Sequence, residues 1–230
     1  MHIMEGFLPL EWCIAWWVLA LPFLGWGFFR LRRVLDADRE ALPLLGVTGA
    51  FIFILSSLKL PSVTGSSSHP TGTGLSSICF GPGITSVVCL VVLLFQSLFL
   101  AHGGLSVLGA NIISMGVVGP MAGYLVYRAL RDSRVNVYMT VFLVCAVADI
   151  CTYVTTSLEL ALAYPAAVGG VATSLGVFLG IFAVTQVPLA IVEGIVLALV
   201  FKYIIQLKPE ILFRLRIFPE RAITEARGGA

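Results

Sequence analysis

Charge is what this 230-residue chain has least of. Charged residues make up 11% of it, and hydrophobic types 59%. Soluble domains run at roughly 25% and roughly 45–50% respectively, so a soluble globular fold is excluded. Other absences narrow the field. The Gly-x-x-x-x-Gly-Lys-Ser/Thr phosphate loop is missing, so the chain does not hydrolyse ATP by that route. No nucleophile–base set stands out, and no enzymatic activity or catalytic cofactor is expected. A net charge of +2 is small, and no nucleic-acid partner is expected. Cys13, Cys79, Cys89, Cys145 and Cys151 contain no closely spaced pair and lie in or beside apolar runs. They read as small buried hydrophobes rather than a disulfide framework or a thiolate metal site. Residues 1–11 contain Glu5 and Glu11 but no Lys or Arg, unlike the positive start of a signal peptide. Met1 is expected to stay in place, because His2 is too large for ready removal of the initiator.

Long apolar runs are plentiful: Leu10–Phe29, Ala41–Leu60, Ile84–Ala101, Leu105–Tyr127, Val137–Ala163 and Val171–Phe201. Apolar stretches of about 20 residues match a hydrocarbon core about 30 Å thick. Helices are the default there, because lipid offers no partner for free backbone groups. No polar linker divides the chain, so residues 1–230 read as one transmembrane domain.

Basic residues tend to stay on the cytoplasmic side. Arg30, Arg32, Arg33 and Arg39 follow the first run and put the N-terminus outside. With six crossings, ten of the fourteen basic residues would fall outside. One more crossing between His69 and Pro82 leaves Lys59 as the sole outer one. The fold class is therefore all-α, with seven transmembrane helices, an outer N-terminus and a cytoplasmic C-terminus. The extra crossing is rich in Ser, Thr and Gly, so it must be shielded from lipid by other helices. Residues 61–83 read as an ordered loop followed by a short membrane segment, with Gly81-Pro82-Gly83 as the inner bend.

This topology gathers all three histidines, His2, His69 and His102, on the outer side. A free amine beside a histidine at position 2 is a chelator. The Met1 amine, the deprotonated His2 backbone nitrogen and His2 Nδ1 close two fused rings and fill three corners of a plane. His69 is the candidate for the fourth. Four planar nitrogens suit Ni²⁺ or Cu²⁺, and Co²⁺ also accepts nitrogen. Zn²⁺ prefers a tetrahedron, and Ca²⁺ and Mg²⁺ want oxygen. His102 reads equally as a partner that orients the ligands or as a structural histidine of the outer turn. Ligating imidazoles are commonly oriented by an acceptor beyond the metal, and Asn111 is the first candidate for that role.

Gln96, Asp149, Glu159, Gln186 and Glu193 lie inside apolar runs. Such groups mark either ion or proton paths or polar packing between helices. Gly46, Gly49 and Ala50 present small residues for close helix contact, within the chain or with a partner.

Met1-His2-Ile3-Met4-Glu5-Gly6-Phe7-Leu8-Pro9 resembles the start of the CbiM/NikM family, the cobalt- or nickel-specific substrate-binding components of energy-coupling-factor transporters. The likeness continues through residues 59–74, 100–105, 108–111, 149–157 and 186–194, and so spans most of the chain. The resemblance implies an extra N-terminal helix on a six-helix core, in a prokaryotic cell membrane. It implies a planar nitrogen site from Met1, His2 and His69, carrying Co²⁺ or Ni²⁺ as substrate. It also implies partners: a membrane scaffold subunit, cytoplasmic ATPase subunits and a small auxiliary membrane subunit. The competing reading is a secondary cation transporter working through Asp149 and Glu193. Such carriers often carry paired broken helices, and only one broken region, at 61–83, is found here. The sequence does not choose between nickel and cobalt.

Overall fold

A computed structural model describes residues 1–61 and 65–228. Ser62, Val63 and Thr64, within the loop expected to be ordered, lie outside the described residues, as do residues 229–230. The apolar runs become helices α1 (Leu10–Ala37), α2 (Ala41–Ser57), α4 (Pro82–Phe99), α5 (Leu108–Leu130), α6 (Val137–Ala163) and α7 (Gly170–Leu207). The polar stretch between α2 and α4 holds α3 (Thr73–Phe80), and two short helices follow α7, α8 (Pro209–Arg214) and α9 (Glu220–Gly228). Among the described residues, α1, α4, α5, α6 and α7 are long and apolar enough to cross a membrane. The protein is thus a mostly helical, polytopic membrane protein. Helix α2 is apolar but has 17 residues, and α3 has eight. Two helices outrun their apolar stretches. Helix α1 continues through its arginines to Ala37, and α7 runs from Gly170 to Leu207 with Pro188 inside it.

Strands accompany the helices, which the all-helical expectation did not include. β1 (His2–Ile3), β2 (Leu60–Pro61) and β3 (Ser66–Ser68) form an antiparallel sheet in the order β1-β3-β2. Its registers are His2 to Ser67, Ile3 to Ser66, Leu60 to Ser68 and Pro61 to Ser67. The backbone groups of the sheet pair with one another, and His2, Ile3 and Ser66–Ser68 are buried.

The bundle has two chemically distinct ends. At one, Arg214 of α8 pairs with Asp38 and, at 2.7 Å, with Glu40, tying the tail to the α1–α2 junction. Tyr127 donates to the Ile217 carbonyl, and Tyr138 to that of Ala226 at 3.0 Å. A cavity at this end is lined by Arg30, Gly81, Pro82, Arg131 and Arg216. The other end carries the sheet and the histidines. There the Met4 amide donates to Gly65 (2.9 Å), the Glu5 amide to Gly103 (3.1 Å) and Tyr164 to Phe7.

The path of residues 69–102 follows from these ends. The His69 and His102 rings are 4.9 Å apart, whereas Pro82 lies with the arginines. The chain therefore descends the whole bundle from His69 to Pro82 and climbs back along α4. Helix α3 supplies about 12 Å of that path, preceded by a turn at Thr71 and Gly72. Everything from Ser66 through Ile78 is buried. The hydroxyls find partners: Ser76 with Thr85 at 2.9 Å, and Ser77 with the Gly74 carbonyl at 2.9 Å. Gly74 is what lets α3 approach α6, since a Cβ there would stand 2.7 Å from Cys145 Cα. All five cysteines are free, as their spacing suggested.

Gly74→Val is expected to push α3 off α6 at a cost of about 1–3 kcal/mol. It would appear as a lower melting temperature of the detergent-solubilised protein.

Candidate metal centre

The first residues of the chain are held as a strand, and β3 is only one of their supports. Asn111, at the start of α5, brackets Ile3. Its Oδ1 accepts the Ile3 amide at 2.8 Å, and its Nδ2 donates to the Ile3 carbonyl at 3.1 Å. The sequence suggested an imidazole as the partner of Asn111; the structure puts the backbone there. Gly103, with φ +75, turns its carbonyl to the Glu5 amide, and a Cβ at that position would lie 3.1 Å from Asn111 Nδ2. Glu5 in turn accepts the Ser106 amide at 3.1 Å. Below the strand, the Met1 side chain packs in an apolar cluster with Tyr153, Leu160, Phe178 and Phe182.

This strand carries His2 into the other two histidines. Ring centroids are 4.3 Å apart for His2–His69 and 4.6 Å for His2–His102. One ring nitrogen from each of the three can be chosen so that all lie within 4.8 Å of one another. First-row ions bind imidazole at about 2.0–2.1 Å, so this spacing can accommodate an ion. Met1, His2 and His69 are wholly buried, and His102 nearly so.

Hydrogen bonds assign the tautomers. His69 Nδ1 donates to the Pro70 carbonyl at 2.8 Å. That leaves His69 Nε2 with a lone pair and no hydrogen-bond partner among the described residues, though it is buried. His2 Nε2 lies 3.2 Å from Met115 Sδ, a weak acceptor, so the proton belongs there and His2 Nδ1 keeps its lone pair. His102 Nε2 then donates toward His2 Nδ1 at 3.1 Å and toward Ser67 Oγ at 2.9 Å. The sequence left His102 open between an orienting partner and a structural histidine; its place in the cluster, within hydrogen-bond reach of His2, also makes it a potential donor.

Burial sets the protonation. It lowers the Met1 amine from its ordinary 8.0 to about 6, against a partial pull upward from Asp149, Glu193 and Glu159. His2 and His69 are pushed well below 6.5 by burial first and by their neighbours' positive charge second. His102 falls to about 3 for the same reasons. At neutral pH the amine and all three rings are therefore uncharged, each with one nitrogen lone pair, which is what a metal ligand requires.

The polar groups of the bundle interior divide by partner. Glu193 accepts from the Thr71 and Gly72 segment just after His69. Gln186 donates to Asp149 at 3.3 Å, and Gln96 to Ser56 at 2.7 Å. Neither oxygen of buried Glu159 has a hydrogen-bond partner among the described residues. Met115 was invisible in the sequence. It sits in a π-helical stretch, Ile112–Val118, inside an ordinary apolar run, and no local pattern announces such a turn.

Two outcomes are expected here. Asn111→Ala strands a buried amide and a buried carbonyl, at about 1–3 kcal/mol for each. The N-terminal strand should then fray and become open to aminopeptidase. The ligand-free protein should also lose stability as pH falls. Native amine and rings stay neutral while the unfolded ones take up protons, so the native state binds fewer protons between about pH 8 and 6. Melting temperature should drop across that window and continue to fall through the ordinary histidine range.

The chain is similar to known proteins along most of its length. Residues 2–211 match the family described as "Cobalt uptake substrate-specific transmembrane region". A putative cobalt transport protein CbiM 2 of Methanosphaerula palustris is 66% identical over 227 residues, covering 99% of this chain and 97% of that protein. The cobalt transport protein CbiM of Chlorobium limicola is 57% identical over 204 residues, covering 89% and 80%. A crystal structure titled as a truncated transition metal transporter superposes with a TM-score of 0.76 at 25% identity, covering 89% of this chain and 98% of that one. The protein is a multi-pass protein of the prokaryotic cell membrane. With its buried histidine cluster and this match along nearly its whole length, the chain belongs to the family of the cobalt uptake substrate-specific transmembrane region.

Proposed function

We propose that this protein is the substrate-capture subunit of an ATP-driven importer for Co²⁺ or Ni²⁺, with the ion held by Met1, His2 and His69 at the outer end of the bundle. One observation carries the reading. The lone pairs of His2 Nδ1 and His69 Nε2 belong to rings 4.3 Å apart, and they adjoin a terminal residue that is wholly buried. Burial of a free amine is unfavourable unless the neutral form is wanted, and a metal ligand is the neutral form in use. The His2 backbone nitrogen completes the chelate after losing its proton to solvent. Four nitrogens in a plane favour Ni²⁺, while the relatives' names carry cobalt.

The membrane arrangement belongs to the same proposal. Residues 1–230 form one transmembrane metal-binding unit of seven crossings, an N-terminal helix added to a six-helix core. The arginine-bearing end faces the cytoplasm, and the histidine end faces out. The burial of α3 and its course from His69 to Pro82 support a seventh crossing that other helices shield. Energy enters through partners: a scaffold membrane subunit, cytoplasmic ATPase subunits and a small auxiliary membrane subunit. The absence of a phosphate loop from the sequence fits that division of labour.

Adding one glycine before Met1 moves the amine out of chelating range and is expected to remove tight binding of Ni²⁺ and Co²⁺ in calorimetry. Unchanged affinity of the extended protein would sink the proposal. Competition between the two ions on the purified protein identifies the cargo.

A further inference from the structure

The segment that carries His69 is gripped from one helix on both of its flanks. Before His69, Ser68 Oγ meets Thr185 Oγ1 of α7 at 2.8 Å. After it, Glu193 of the same helix accepts three hydrogen bonds, from the Thr71 amide, from Thr71 Oγ1 at 2.9 Å and from the Gly72 amide at 2.8 Å. The carboxylate is wholly enclosed, with 1% of its residue surface exposed. Its partners are the backbone of a turn in which Gly72 takes φ +70. That turn sits two residues beyond His69. Among the described residues the hydrogen bond of the His69 ring runs from Nδ1 to its neighbour's carbonyl, so the ring follows wherever the backbone at 70–72 is held.

We infer that Glu193 is a positioning residue for metal capture: together with Thr185 it forms a clamp by which α7 sets the place of the His69 lone pair relative to the N-terminal chelate. The inference rests on the ligand assignment under Proposed function and assigns Glu193 a task there. A carboxylate suits that task. Its two oxygens accept from several donors at once, and bonds to a charged acceptor are about twice as strong as neutral ones. It never touches the ion. Loss of such outer partners typically lowers metal affinity about 10–100-fold.

The test measures Ni²⁺ affinity, dissociation rate and the absorption spectrum of the bound ion on the purified full-length protein. Glu193→Ala is expected to weaken binding about 10–100-fold through faster dissociation, and to shift the spectrum as His69 leaves its place. Glu193→Gln keeps an accepting oxygen and should fall between Glu193→Ala and the parent. If Glu193→Ala does not fold, Thr71→Val removes a single hydroxyl donor and should move the same readouts less far. Parental affinity, rate and spectrum in folded Glu193→Ala, or in Thr71→Val where the alanine variant does not fold, overturns the clamp. His69→Ala run in parallel separates the two levels. If it weakens binding and the Glu193 variants do not, the clamp alone fails; if neither does, the ligand assignment fails.

Discussion

The structure depends on one arrangement: the first residues of the chain are buried as a β-strand. Pairing of β1 with β3 fixes the direction of the strand, and the amide of Asn111 fixes its depth. Together they deliver a terminal amine and an imidazole into a pocket with no exposed surface. An amine so placed must shed its charge, and the drop of its pKa to about 6 records that cost. Burial that disfavours the charged amine leaves it neutral, the form that the proposed metal ligation needs.

The remaining unusual features serve that strand. A sheet at the end of a membrane bundle needs helices to cover it and a partner strand held in place. Residues 66–80 supply the partner and then run on into the bundle, buried from Ser66 through Ile78, with hydroxyls bonded to α4 and α7. The glycines along this course allow turns and close approaches, at Gly72 by its positive φ and at Gly74 by its contact with Cys145. Met115 comes from the π-helical stretch of α5 and meets the far side of the His2 ring, favouring the tautomer with the proton on Nε2.

Much of this was legible in the sequence, for definable reasons. Apolar length and the asymmetry of arginines mark the long helices and gather the arginines at one end, because both are set by the bilayer and not by tertiary detail. Charge counting placed an extra crossing between His69 and Pro82; the structure has there a largely buried helix, Thr73–Phe80, that is too short and too polar to register as a span. The convergence of His2 and His69 followed from the same counting. The sheet did not appear, because strands of two or three residues carry no period. The role of Asn111 was placed one step off: a polar residue near the site was readable, its choice of backbone over imidazole was not. Met115 and the grip of α7 on both sides of His69 are contacts across more than 100 positions of sequence, and no single-chain pattern reports them.

The most direct test of the central claim is the magnetic state of the Ni²⁺-loaded protein, read by proton NMR and absorption, in the parent and in His69→Ala. A planar set of four nitrogens predicts diamagnetic Ni²⁺, with unshifted, sharp imidazole resonances that change when His69 is removed. Paramagnetic six-coordinate Ni²⁺ that is indifferent to His69→Ala would contradict the account.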